Sequence, residues 1–140
     1  MPTSSPADWA TAQTAFMAEN IKQSGWQAMD NGMQYKVLTA VDGDGVKPAP
    51  GSDVTVHYEG RLIDGKVFDS SYARNEPASF PLSGVIRGWQ DGVPMMKVGE
   101  TWEFAIPANL AYGDRGVGPI PGGSTLIFKI ELLEADTPAK

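Results

Sequence analysis

The 140-residue sequence has no cysteine and a single histidine, His57. Without thiols there is neither a disulfide framework nor a zinc site built on thiolates. One histidine with no carboxylate cluster around it does not anchor a metal. The same shortage leaves little from which to assemble a catalytic triad, and no serine stands in a G-x-S-x-G elbow. Glycine is abundant at 16 residues, yet none falls in a phosphate-loop or dinucleotide-loop spacing. Asp114-Arg115-Gly116-Val117-Gly118-Pro119 lacks both the spacing and the lysine of such a loop. No apolar run reaches the roughly eighteen residues needed to cross a bilayer. The opening Met1-Pro2-Thr3-Ser4-Ser5-Pro6 lacks the basic and apolar regions of a secretory signal. Positive charge is also scarce: 11 Lys and Arg stand against 17 Asp and Glu, a net charge of −6. That argues against nucleic acid as a partner, whose binding depends on a basic face, and it is the ordinary charge of a soluble protein. As written, the sequence reads as cytoplasmic, with the periplasm as the alternative if a signal has been removed.

What is present is ordinary globular material: 41% hydrophobic and 20% charged residues in a length typical of one domain. An N-terminal leader comes first. Ser5 and Asp8 resemble a capping pair, Pro6 suits the first helical position, and Trp9, Ala12, Phe16, Met17 and Ile21 recur at roughly helical spacing towards a stop at Ser24-Gly25. This helix either packs Trp9 and Phe16 on the following domain or serves as a dimerisation helix. Gln34–Leu38 reads as a strand, followed by turn signals at Asp42–Gly45 and Pro48–Gly51.

Period-two alternation then places Val54, Val56 and Tyr58 on one face of a strand, with Trp102, Phe104 and Ile106 on another and Leu126, Phe128, Ile130 and Leu132 on a third. One short helix, Arg87–Met96, carries Trp89, Val93 and Met96 on its apolar face, and Pro94 is expected to shorten or bend it. A one-faced antiparallel sheet needs a cover, which this helix supplies with help from the leader. The class is α+β, divided into a leader and linker over residues 1–32 and a domain over 33–140.

The chemistry-bearing residues fall in a fixed order. Val56-His57-Tyr58-Glu59-Gly60 precedes Gly65-Lys66-Val67-Phe68-Asp69-Ser70-Ser71, then come Gly84-Val85-Ile86-Arg87-Gly88-Trp89, Leu110-Ala111-Tyr112-Gly113, Ile120-Pro121 and Thr125-Leu126-Ile127-Phe128. This order and spacing, from about Gly51 to Leu133, resembles the FKBP-type peptidyl-prolyl cis-trans isomerases. The preceding segments Phe16–Asn20 and Gly32–Leu38 are similar to the bacterial branch typified by the macrophage infectivity potentiator.

The resemblance implies a strongly bent antiparallel sheet of five to six strands wrapped around one short helix, with the N-terminal helical leader ahead of it. It also implies a rotamase that assists protein folding, with no cofactor and no metal. Tyr58, Asp69, Trp89, Tyr112 and Phe128 are its implied catalytic set, with Trp89 as the floor under the proline ring. Phe68, Arg74, Phe80, Val85, Ile86 and Ile120 are the implied substrate-binding set, and the N–H of Ile86 and the hydroxyl of Tyr112 are the implied donors that orient the chain. By pattern alone, Tyr58, Trp89 and Phe128 are core residues, and Asp69 and Arg74 are solvated loop charges. The implied partners are proline-containing polypeptides and macrolide inhibitors, with no nucleic acid and no membrane span. A monomer is favoured over a dimer formed through the leader.

Two departures stand out. Glu76-Pro77-Ala78 follows Arg74 where many members carry an aromatic residue, and the loop after Tyr112 is short, with Val117 or its neighbours where some carry histidine. Both trim the rim of the implied pocket, where they would change substrate preference and macrolide affinity more than basic activity.

Overall fold

The computed structural model describes residues 6–29, 32–41, 47–48, 52–63, 65–113, 120 and 122–135, without the side chains of 6–11 and 14. The Ser5 cap, the side chains of Asp8 and Trp9, the turn at Asp42–Gly45, residues 49–51, Val117 and Pro121 lie outside the described residues.

The first described element is helix α1, Pro6–Asn20, so Pro6 does stand at the first turn, where its missing N–H costs no helical bond. Strands β1 (Trp26–Ala28), β2 (Gln34–Thr39), β3 (Asp53–Leu62), β4 (Val67–Ser70), β5 (Ala78–Pro81), β6 (Thr101–Ile106) and β7 (Leu126–Ala135) form one sheet. Helix α2 (Ser71–Arg74) lies between β4 and β5, and α3 (Arg87–Gly92) between β5 and β6. The strand order is β1-β2-β6-β7-β3-β4, with β5 also paired to β3, and the pairings are antiparallel. Among the described residues seven strands are counted, in the bent antiparallel sheet for which the resemblance implied five or six. The additions are short: β1 has three residues, β4 and β5 four each, too few for an alternating pattern to register.

The long strand β3 organises the sheet. One edge runs along β7 from Val54↔Ala135 to Leu62↔Leu126. The other edge pairs with β5 over Asp53–Val56 and with β4 over Glu59–Arg61. Its burial alternates as its sequence alternates: Val54, Val56, Tyr58 and Leu62 are buried while Thr55, His57, Glu59 and Arg61 are half-exposed. Trp102, Phe104 and Ile106 of β6 and Leu126, Phe128, Ile130 and Leu132 of β7 join them in one core. The period-two reading of all three strands holds.

Helix α3 seats on this apolar face and the sheet curves about it. It ends at Gly92 and tightens into a 3-10 turn over Val93–Met95. Pro94 sits in that turn, as expected from a residue that has no N–H to continue an α-helix. The seat is close. A Cβ on Gly88 would stand 2.6 Å from Ile106 Cγ2, and one on Gly92 would stand 2.7 Å from Phe104 Cε1.

In the leader, only part of the expected apolar stripe has described side chains. Its expected apolar stripe is only half-buried at Phe16, Met17 and Ile21, and Ala12 is exposed. Among the described side chains of α1 the buried ones are amides, Gln13 and Asn20. Gln13 Oε1 accepts from Thr125 N at 2.7 Å, Asn20 Nδ2 donates to Gln34 Oε1 at 2.8 Å, and Gln34 Nε2 donates to Met17 O at 2.8 Å. Gln34, Ala105 and Ile127 are side by side in register and all buried, on the sheet face opposite Phe104 and Phe128. The leader is therefore bonded to the outer face, and α3 covers the inner face. Because β1 pairs with β2, a boundary at 32/33 falls between two bonded strands.

Close seating makes α3 intolerant of even one methyl. Gly88→Ala is expected to lower stability by about 1–3 kcal/mol, the usual cost of overpacking a filled core. The measurement is the urea midpoint; an unchanged midpoint would show that Ile106 can yield.

Candidate functional site

A cavity of about 250 Å³ opens between α3 and the inner face of the sheet, lined by Tyr58, Phe68, Asp69, Phe80, Gly84, Val85, Ile86, Trp89, Tyr112 and Phe128. Its floor is Trp89, only 4% exposed. Three rings meet the indole edge to face: Tyr58 at 5.4 Å and 80°, Phe80 at 5.6 Å and 89°, and Phe128 at 5.3 Å and 89° between centroids and planes. Such T-shaped pairs suit the aromatic quadrupole and add about 0.5–1.5 kcal/mol each beyond their burial. Phe68 stands perpendicular to Phe128 at 5.6 Å. The Trp89 Nε1–H is buried with no partner among the described residues, which leaves a donor at the floor unsatisfied.

Local sequence explains how these rings converge. Tyr58 and Gly60 are two apart on β3 and so share its inner face. A Cβ on Gly60 would lie 2.5 Å from Phe68 Cζ and 2.7 Å from Phe128 Cε1. Only a residue without a side chain lets both rings close over β3 at that point.

The polar edge of the cavity is a closed triangle. Tyr58 Oη donates to Asp69 Oδ2 at 2.5 Å, Arg74 Nη1 donates to Asp69 Oδ1 at 2.6 Å, and Arg74 Nη2 donates to Tyr58 Oη at 3.2 Å. The guanidinium also lies 5.7 Å from the Tyr58 ring centroid. Asp69 is the next-to-last residue of β4 and Arg74 ends α2, a one-turn helix capped by Ser70, whose Oγ accepts from Ala73 N at 3.2 Å. The turn closes at Asn75 in the left-handed region, φ 56°, which asparagine tolerates better than most residues. Ser71, fully buried, ties the turn to β3: its Oγ accepts from Tyr58 N at 2.7 Å and lies 2.8 Å from His57 Nδ1. The lone histidine thus supports the site from the outer face of β3, where its ring stacks on Tyr72 at 4.8 Å.

These contacts set the charges. Burial pulls the Asp69 carboxyl upwards, but hydrogen bonds from Tyr58 and Arg74, with the guanidinium charge, outweigh it and hold the group below its ordinary value. Burial pushes the Tyr58 hydroxyl up, and its bond to Asp69 adds to the rise. Burial likewise raises Tyr112, with the Asp69 charge contributing. The pocket at neutral pH therefore presents two neutral phenols, one carboxylate and one guanidinium. Among the described residues no group of three His, Asp or Glu side chains is arranged to hold a metal ion.

Of the residues singled out from sequence, Tyr58, Phe68, Asp69, Phe80, Val85, Ile86, Trp89, Tyr112 and Phe128 all line this one cavity. Arg74 is joined to it through Asp69 and Tyr58. Ile120 is not among the lining residues; it packs in the core at 6% exposure. Sequence reasoning passed over Gly84 in the lining, Ser71 behind Tyr58, and Gln90, whose Nε2 donates to Val85 O at 2.7 Å. Ser71 had a signal, as the second serine of Asp69-Ser70-Ser71 where a strand passes into a helix. Gln90 had none beyond its place next to Trp89.

Comparison with known proteins agrees with this geometry. The family model for FKBP-type peptidyl-prolyl cis-trans isomerases matches residues 45–133. The chain is 51% identical over 120 residues to the FKBP-type 22 kDa peptidyl-prolyl cis-trans isomerase of Escherichia coli, covering 85% of this chain and 57% of that one. It is 48% identical over 120 residues to the outer membrane protein MIP of Legionella longbeachae, covering 85% and 51% respectively. It therefore spans about half the length of the curated relatives it matches. The crystal structure of a peptidyl-prolyl cis-trans isomerase from Pseudomonas syringae superposes with a TM-score of 0.84 at 37% identity, covering 95% of this chain and 98% of that one.

The triangle yields a titration test. A carboxyl whose folded pKa is depressed stabilises the fold above its unfolded value, near 4, and that contribution is lost as pH falls through the folded value. The stability gap between wild type and Asp69→Asn is thus expected to be largest at neutral pH and to narrow below about pH 4. In Arg74→Ala, the NMR titration midpoint of Asp69 should rise towards the ordinary value of 3.8. A midpoint that stays put would mean that Arg74 is held by solvent rather than by the carboxylate.

Proposed function

The chain belongs to the FKBP-type peptidyl-prolyl cis-trans isomerase family, in the branch of the macrophage infectivity potentiators, and we propose that its pocket accelerates rotation about Xaa–Pro peptide bonds in folding polypeptides. The observation that carries this reading is the aromatic cavity floored by Trp89, with Asp69 and Tyr112 at its edge.

The reaction needs no nucleophile. Resonance gives the C–N bond partial double-bond character and a barrier of about 18–20 kcal/mol. Before proline the two isomers are close in energy but exchange over tens to hundreds of seconds. Reaching a turnover of about 10 s⁻¹ takes roughly a thousandfold, or about 4 kcal/mol. As the amide twists it loses resonance, so its carbonyl oxygen sheds negative charge and its nitrogen becomes pyramidal. Water favours the planar, more polar form. A cavity walled by Tyr58, Phe68, Phe80 and Phe128 withdraws that water and favours the twisted form by comparison.

In this reading the proline ring rests on Trp89 between those walls. The Tyr112 hydroxyl and the N–H of Ile86, which has no partner among the described residues, donate to the carbonyls on either side and orient the chain. Asp69 and Arg74 hold Tyr58 in place.

The substrates are proline-containing polypeptides, and macrolide inhibitors would occupy the same pocket. Function divides as leader, 1–32, and isomerase, 33–140, and the amide docking of α1 on its own sheet favours a monomer over a dimer formed through the leader. No helix of the described residues is long and apolar enough to cross a membrane. That one relative is by name an outer membrane protein favours the periplasm over the cytoplasm.

The deciding measurement is cis-to-trans exchange in a short Xaa-Pro peptide. Wild type is expected to accelerate it strongly. Asp69→Ala should lower kcat/KM about tenfold, equivalent to about 1.4 kcal/mol of lost transition-state stabilisation, and Tyr112→Phe by a few-fold. No acceleration by folded wild-type protein would refute the isomerase and leave a peptide-binding module.

A further inference from the structure

We propose that Gln90 is a positioning residue that aims and polarises the substrate-facing N–H of Ile86, an inference that rests on the isomerase reading above. Its side-chain Nε2 donates to the carbonyl of Val85 at 2.7 Å. That carbonyl and the Ile86 N–H belong to the same peptide unit. There is no cis peptide among the described residues, so the two groups point in opposite directions from one plane. A donor that fixes the carbonyl on the side of α3 therefore fixes the N–H on the other.

The neighbouring groups leave this task to Gln90. The backbone N–H groups of Trp89 and Gln90 both turn to the carbonyl of Ile86, at 3.0 and 3.2 Å. Val85 has no backbone donor among the described residues. Gly84 ends a three-residue 3-10 turn, and Val85 and Ile86 are extended residues between that turn and α3, with side chains packed against the core. Without the amide of Gln90, the carbonyl of that peptide would have no donor among the described residues. Hydrogen bonds in series also polarise one another, so a donor on the carbonyl makes the N–H of the same unit a stronger donor. Gln90 reaches the cavity only through this peptide; it is not one of the lining residues.

Because the N–H would hold the substrate's chain in the planar and the twisted state alike, weakening it should act on binding more than on turnover. Two substitutions test this: Gln90→Met keeps the length and removes the donor, and Gln90→Glu keeps the shape and turns a carboxylate towards the carbonyl. In the ligand-free protein each is expected to move the Ile86 amide proton upfield. In peptide isomerisation each is expected to raise KM about fivefold, the size of one net hydrogen bond, with kcat within about twofold.

A Gln90 with a merely structural role would lower the urea midpoint while leaving the Ile86 amide shift and KM where they were. That result in either variant overturns the inference. A measurement on wild type needs no variant: scalar coupling across the hydrogen bond between Gln90 Nε2 and the Val85 carbonyl carbon supports the inference if present and overturns it if absent. If wild type fails to isomerise, the isomerase reading falls. The amide shift and the coupling then still decide whether Gln90 holds the peptide, with affinity for the same Xaa-Pro peptide replacing KM.

Discussion

The position of every wall of the pocket follows from how closely α3 lies against the sheet. Gly88 and Gly92 bring the helix backbone to within a methyl's width of Ile106 and Phe104, and that approach drives Trp89 into the space where β3, β5 and β7 present Tyr58, Phe80 and Phe128. The three rings pack edge-on to the indole, so none can turn without losing contact with it. Floor and walls are one aromatic cluster, filled on its inner side by the core and open on the other. The cavity is the part of the core that the sheet and helix leave unfilled.

Tyr58 joins this apolar cluster to the polar edge. Its ring belongs to the floor and its hydroxyl belongs to the triangle with Asp69 and Arg74. The same residue is anchored from behind, where its N–H bonds to the buried Ser71 hydroxyl. One turn of helix, α2, thus supplies both Ser71 behind β3 and Arg74 in front of it. The pairing of β4 and β5 along a single edge of β3 makes this geometry unavoidable: the chain must leave β4 at Ser70 and return at Ala78, and α2 is the connection. Arg74 is 47% exposed and Asp69 42%, so water screens the ion pair and its value lies in orientation rather than in stability.

Much of this was legible in the sequence because it is written in periodicity. Alternation along Val54–Tyr58, Trp102–Ile106 and Leu126–Leu132 assigned three strands and their inner faces, and Pro94 announced the break after α3. The site residues were legible only through the resemblance to a family; alternation cannot tell a core Trp89 from a floor Trp89, since both are buried on an apolar face. What escaped has a common physical cause. Strands of three or four residues such as β1 and β5 are too short to alternate visibly, and their pairing is set by the long neighbour. The leader was read by its apolar residues, whereas its hydrogen bonds to the sheet among the described residues run through Gln13, Asn20 and Gln34, amides that look like surface residues until their partners are known. Gln90 escaped because a side chain that acts on a backbone carbonyl leaves no pattern.

The electrostatics of the pocket suit a reaction that moves no proton. Burial and the neighbouring carboxylate push Tyr58 and Tyr112 up, further into the neutral form, and the donors around Asp69 push it down, further into the charged form. Each of these groups has its titration moved further from neutral pH. A site for general acid–base chemistry is built the other way, with at least one group brought towards the working pH. None of the lining residues is a histidine, and the one histidine in the chain faces the opposite side of β3. Protonation states that do not change leave a fixed field and a fixed shape, and these are what rotation about a C–N bond requires: a dry surface against which the planar amide is held less well than the twisted one, and donors that keep the rest of the chain still while it turns.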